Sequence, residues 1–248
     1  MSTLVLALVA GAVVGLALGA LGGGGSVLAV PALIYLLGFT PAAATTASLI
    51  IVTATSATAL YTHATSGNVR WRTGALFAAA GIPPAMAAAA LAARLPGQLL
   101  TAAFAAVAGL AALRMLKSPA PENEVRPVRP ARAAGAGASL GAVTGFLGVG
   151  GGFLAVPALV GVLGLRMRAA IGTSLLVITV NSLAALTVRT GGAGPLDWAV
   201  VAPFTGAAIL AAWDGKRLSA AIKGPALQRI FAVVLLSVAA FMLTDAIR

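Results

Sequence analysis

The residues best placed to do chemistry lie in two glycine-rich runs, Gly22 to Ser26 and Gly148 to Gly152, each followed by an apolar stretch and a proline, Pro31 or Pro157. Glycine admits a positive φ and lets a ligand approach the backbone. A helix that starts behind such a run aims unpaired N–H groups and the positive end of its dipole at whatever lies in front. That is a site for an anion. The candidate donors are Gly24, Gly25 and Ser26 in one run and Gly150, Gly151 and Gly152 in the other, with helix starts expected at Ser26 and at Gly152 or Phe153. Alone, either run would read as close helix packing. Together they read differently, because residues 18–33 and 144–159 are identical at 11 of 16 positions with a constant offset of 126.

Further polar candidates follow each proline. Thr45, Thr46, Ser48, Thr53, Thr55 and Ser56 correspond in place to Ile171, Gly172, Ser174, Thr179, Asn181 and Ser182. Hydroxyls and amides can donate to an anion without charge, although most such groups in apolar helices bond to their own backbone. Ser48 and Ser174, polar in both copies, and Asn181, an amide in an apolar run, are the preferred contacts. No acidic residue precedes Glu122 and none lies deep in an apolar segment. Cation pumps and transporters bury a carboxylate in their pathway, so its omission favours an anion. His63 and Arg189 occupy equivalent places at the ends of their segments. Both are expected at the membrane interface, with a gating contact as their other open role. Cysteine is absent, which excludes disulfides and thiolate metal sites, and no cofactor or metal is expected.

These residues must be positioned by membrane helices. The chain is 60% hydrophobic and 8% charged, with a mean hydropathy of +1.04, outside the range of soluble domains. Its net charge of +11 sits in short loops, a pattern of membrane insertion and not of nucleic-acid binding. The apolar N-terminus lacks the basic residues of a signal peptide and contains the first repeat, so it is expected to be retained. Apolar runs bounded by Gly, Pro and charge predict an all-α polytopic protein with five segments per half: 4–21, 27–38, 42–62, 73–93 and 98–116, then 133–148, 153–164, 169–188, 198–213 and 225–246. The predicted plan is a first transmembrane repeat over 1–116, a linker over 117–132 rich in proline and charge, and a second repeat over 133–248. Eight to ten segments are expected in total, some short or re-entrant. Segment two, 12 residues or about 18 Å, is too short for a bilayer core of about 30 Å and must begin inside the membrane.

If segments one and two form a hairpin, an odd number of crossings remains and the copies are inverted. One face then collects Arg70, Arg72, Lys117, Arg126, Arg129, Arg132, Arg166, Arg168, Lys216, Arg217 and Lys223, while the other keeps Arg94, Arg189 and Arg248. The positive-inside rule favours this topology, with a cytoplasmic linker and both termini outside. Trp71, Trp198 and Trp213 mark segment ends at the interface.

The paired GxGGGxLxxPxL string, followed in the second half by Ala170-Ile171-Gly172-Thr173-Ser174-Leu175, resembles the TauE/SafE family of sulfite exporters. The likeness covers nearly the whole chain. The first copy departs from it at Ser26, which replaces a glycine, and at Thr46, which stands where the second has Gly172. The resemblance implies export of small sulfur-containing anions, such as sulfite or organosulfonates, across the bacterial cytoplasmic membrane. An anion channel or a non-transporting membrane subunit is the alternative. An intramembrane enzyme is less favoured, because no GxSG string accompanies His63.

Overall fold

The computed structural model describes residues 3–92, 97–117, 128–147, 152–189 and 196–247. Among the described residues there are ten α-helices and no strand: α1 (Thr3–Leu21), α2 (Gly24–Pro31), α3 (Pro41–Ala64), α4 (Trp71–Ala92), α5 (Gly97–Lys117), α6 (Pro130–Leu147), α7 (Gly152–Gly161), α8 (Met167–Arg189), α9 (Trp198–Ala221) and α10 (Gly224–Ile247). Five of them, α1, α3, α8, α9 and α10, are long and apolar enough to cross a membrane. The expected all-α polytopic class holds.

Two elements differ in extent from the sequence expectation. Helix α2 starts at Gly24, not at Ser26, because Gly23 already has helical angles (φ −62, ψ −21) and no side chain caps the helix. Behind Pro31 the chain widens into a π-helical turn over Ala32–Leu36, as happens where proline withholds an N–H from the ladder. Helix α9 does not stop at Trp213 but continues to Ala221. Apolarity ends at Trp213, yet Gly215 and Ser219 stay buried, and Gly215 packs on the backbone of Leu16 and Ala20. An ion pair between Asp214 and Arg217 at 3.2 Å lies on the exposed side of this extension.

The short helices of the two halves end alike. Gly38 (φ +71) and Gly164 (φ +68) terminate them in the left-handed region. Gly38 N–H donates to Ile34 and Phe39 N–H to Leu33; Gly164 N–H donates to Val160 and Leu165 N–H to Leu159. These are equivalent residues throughout, so the duplication reaches the level of single backbone bonds.

Packing exchanges helices between the halves. Gly11, Gly15 and Gly19 of α1 face Phe204, Ala208 and Ala212 of α9; Gly137, Gly141 and Gly145 of α6 face Phe77, Gly81 and Ala85 of α4. The two stripes are equivalent at the offset of 126. Residue numbers rise together in each pair, so both pairs are parallel. A Cβ at any of these six glycines would collide with a facing carbonyl group. The small-xxx-small spacing brings backbones close enough for dispersion and Cα–H···O contacts, which replace the missing hydrophobic drive between helices in lipid. Gly141→Ala should therefore cost about 1–3 kcal/mol. A lowered thermal midpoint checks this, with Gly109→Ala, whose site is open, as the control.

On the internal pseudo-axis α3 meets α8, α2 meets α7 and α5 meets α10. Helices α3 and α8 are antiparallel: Ser56 meets Thr179, and Arg70, just beyond α3, meets Thr173 nearer the start of α8. This is the geometry of inverted repeats. Two bodies result, α1, α2 and α3 with α9, and α6, α7 and α8 with α4, each borrowing one helix from the other half.

The same contacts gather the basic ends on one face. Arg70 N–H donates to Thr173 at 3.0 Å, and the Arg168 guanidinium donates to the Ala220 carbonyl at 2.8 Å. The Gln228 amide donates to the Met115 carbonyl, joining the start of α10 to the end of α5.

Candidate functional site

The turn that joins α1 to α2 is buried inside the protein. Gly22 adopts φ +74, and a Cβ there would lie 2.5 Å from Ser174 Oγ and 3.3 Å from both the Ile171 carbonyl oxygen and Val156 Cγ2. The first glycine turn thus rests on α7 and α8 of the other repeat. Ser174 is seven residues inside α8, about 10 Å along its axis, so α2 begins at membrane depth. Gly24 opens α2 and Gly152 opens α7. Gly25 serves packing, its Cα facing Leu18 and the Val14 carbonyl of α1. Gly150 and Gly151 lie outside the described residues, as does the Ser26 side chain. Pro31 and Pro157 lie inside their short helices.

Ser48 and Ser174 are buried at equivalent places, and each hydroxyl donates to a carbonyl one turn back, Thr45 and Ile171, both at 2.8 Å. An anion would have to draw these protons away from the helix. Deeper, at the α3–α8 crossing, Ser56 Oγ lies 2.9 Å from Thr179 Oγ1. Each of these hydroxyls also donates to a carbonyl of its own helix, Ser56 to Thr53 at 3.3 Å and Thr179 to Leu175 at 2.8 Å. Beside this pair, Thr55 Oγ1 and Asn181 Oδ1 are buried without a partner. Thr55 and Asn181 are equivalents at the offset of 126. An unsatisfied buried polar atom costs about 1–3 kcal/mol, and here the cost recurs at the same position of both repeats.

Sequence placed Thr55 among the lining residues but gave no reason to rank it with Asn181; what unites them is the orphaned oxygen, visible only in three dimensions. The sequence reading missed the two GxxxGxxxG stripes, whose spacing is the signal of a membrane helix interface. Gly172, by contrast, admits the Asn68 carbonyl of the loop after α3 and so serves packing.

His63 is enclosed by protein. It is 1% exposed, with Nε2 donating to the Gly19 carbonyl at 3.1 Å and Nδ1 without a partner. It lies level with the end of α1 because α3 continues to Ala64. Arg189 ends α8, and its side chain lies outside the described residues. Among the described residues every buried polar side chain is a hydroxyl, an amide or this imidazole. At the crossing Thr55 and Ser56 of α3 are buried, while Thr179 and Asn181 of α8 are half-buried. Two sizeable cavities lie elsewhere, one an apolar groove between α1, α2 and α10, the other on the basic face.

Residues 7–242 match the sulfite exporter TauE/SafE family. The chain belongs to that family. Two curated relatives, one from each of two strains of Xylella fastidiosa, are 33% and 32% identical over 249 and 250 residues. Each alignment covers 97% of this chain and 95% of the relative, and both relatives are named "Probable membrane transporter protein". This TauE/SafE chain is accordingly a multi-pass membrane transporter, and the family resemblance read from the sequence holds.

Proposed function

We propose that this TauE/SafE protein is a secondary transporter that exports small sulfur-containing anions, such as sulfite or organosulfonates, by alternating access across the bacterial cytoplasmic membrane. The observation that carries the reading is the pair of orphaned oxygens, Thr55 and Asn181, at equivalent positions of two antiparallel helices. Inverted repeats place substrate sites near the bilayer midplane at the repeat interface, where broken helices end. Here α2 and α7 start within the bundle beside α3 and α8. The Thr55 hydroxyl and the Asn181 amide can donate to an oxyanion once the amide is turned, and the neutral interior offers no carboxylate to repel it. Access alternates when the two bodies rock against each other and α3 shifts along α8.

The orientation follows from charge. The offset is 126 as far as α3 and α8 and 127 beyond them, where the second half carries one extra residue, and equivalent positions carry opposite choices on the two faces: Arg70 against Asp197, Arg72 against Ala199, Arg166 against Thr40, Lys216 against Ala89. The basic face is cytoplasmic by the positive-inside rule. With Lys117 and Arg129 on it, the 117–132 linker is assigned to the cytoplasm, and the two repeats, 1–116 and 133–248, leave both termini outside.

Proteoliposomes containing only this protein test the function. A saturable, gradient-driven flux of labelled sulfite or methanesulfonate is expected; non-saturable flux would indicate a channel, and no flux a subunit. Thr55→Val tests the site, because it deletes an oxygen that bonds to nothing. Its stability should stay level or rise by about 1 kcal/mol, while transport falls at least tenfold. Full transport by this variant would remove the crossing from the pathway.

A further inference from the structure

On the basic face a furrow of about 730 Å³ opens between the start of α4 and the start of α6. One wall is α4, with Arg72 and Thr73 at its start and Ala75, Leu76 and Ala79 beyond them; the other is Val128, Pro130 and Ala133. From its mouth inward the α4 wall changes from a guanidinium to hydrocarbon within two helical turns. Trp71, the neighbour of Arg72, is more than half exposed at the same level, where indole rings mark the membrane–water interface. Among the described residues Arg72 has no hydrogen-bond or ion-pair partner. Arg129 and Arg132 are exposed and alternate along the chain with the residues of the second wall. A cationic mouth above an apolar wall at the interface is complementary to one kind of ligand, an anionic headgroup joined to an acyl chain.

The furrow's cationic mouth is built only once. The repeat partners of Arg72, Arg129 and Arg132 are Ala199, Thr3 and Leu6, so the opposite face lacks all three cations. This asymmetry is the one the positive-inside rule requires, so it sets the leaflet that the furrow faces.

We propose that this furrow binds one anionic phospholipid from the leaflet on the basic face, with its phosphate on Arg72 and an acyl chain over Leu76 and Ala79. A guanidinium takes a phosphodiester in a bidentate fork. Each cation near the surface contributes about fivefold to affinity for an anionic lipid. Free phosphate shares the headgroup chemistry but leaves the apolar wall uncovered.

The test uses the full chain in detergent, titrated with phosphatidylglycerol or phosphatidylcholine and read by native mass spectrometry and thermal shift. One retained phosphatidylglycerol per chain is expected, with weaker retention of phosphatidylcholine. Arg72→Ala should weaken phosphatidylglycerol binding about fivefold, and Arg72→Lys should lose less. Arg217→Ala, on the same face but in the exposed pair with Asp214, should leave it unchanged. Equal losses in the Arg72 and Arg217 variants would replace the site with a diffuse surface field. Equal retention of phosphatidylcholine, or displacement of the lipid by inorganic phosphate at matched concentration, would also overturn the proposal.

Discussion

Gly22→Ala is expected to reduce transport at least tenfold, and Gly22→Leu to abolish it, in protein that still reaches the membrane. Two effects coincide at this residue. A side chain at φ +74 costs about 1–2 kcal/mol, and its Cβ meets Ser174, Ile171 and Val156 of the other body. The substitution acts as a wedge between the parts that must close on substrate. Gly38→Ala separates these effects, because φ is +71 there but nothing lies within 4 Å of the added carbon. It should lower stability by about 1 kcal/mol through the backbone alone and leave transport intact. Adding Ser174→Ala to Gly22→Ala removes the oxygen that the new carbon meets and should recover part of the thermal midpoint. Equal behaviour of the two alanine variants in transport would remove the first glycine turn from the mechanism.

The second large effect is a reversible arrest. The chain contains no cysteine, so Ser56→Cys with Thr179→Cys introduces the sole thiol pair, at positions whose hydroxyl oxygens are 2.9 Å apart. Oxidation should tie α3 to α8 across the pseudo-axis and stop transport by at least tenfold, with recovery on reduction. Each single variant should transport in both redox states. A cross-linked double variant that transports normally would mean that α3 and α8 move as one unit, and the rocking of the two bodies described above would be wrong.

Much of this architecture is legible along the chain because its causes are local. Apolar run length sets the helices, and the offset of 126 reveals the duplication. Segment two is short because glycine runs precede it and Gly38 and Gly164 follow it. Segment ends are less legible where composition and packing part company. Trp213 closes the apolar run of α9, but Gly215 keeps a backbone neighbour in α1 and the helix goes on. His63 illustrates the same limit. A histidine near a charged loop reads as interfacial, yet the acceptor that holds it inside, the Gly19 carbonyl, lies 44 residues away in the chain.

By itself the sequence determined a polytopic helical membrane protein, its repeat, its family and the sign of its charged face, since hydropathy, periodicity and loop charge act through neighbours in the chain. Only the tertiary structure decided that α4 and α9 change partners between the halves and that Gly22 rests on Ser174. It alone paired Thr55 with Asn181 as orphaned oxygens. In lipid, partner choice follows where small residues let two backbones touch, and one stripe of glycines does not specify which facing helix will fill it.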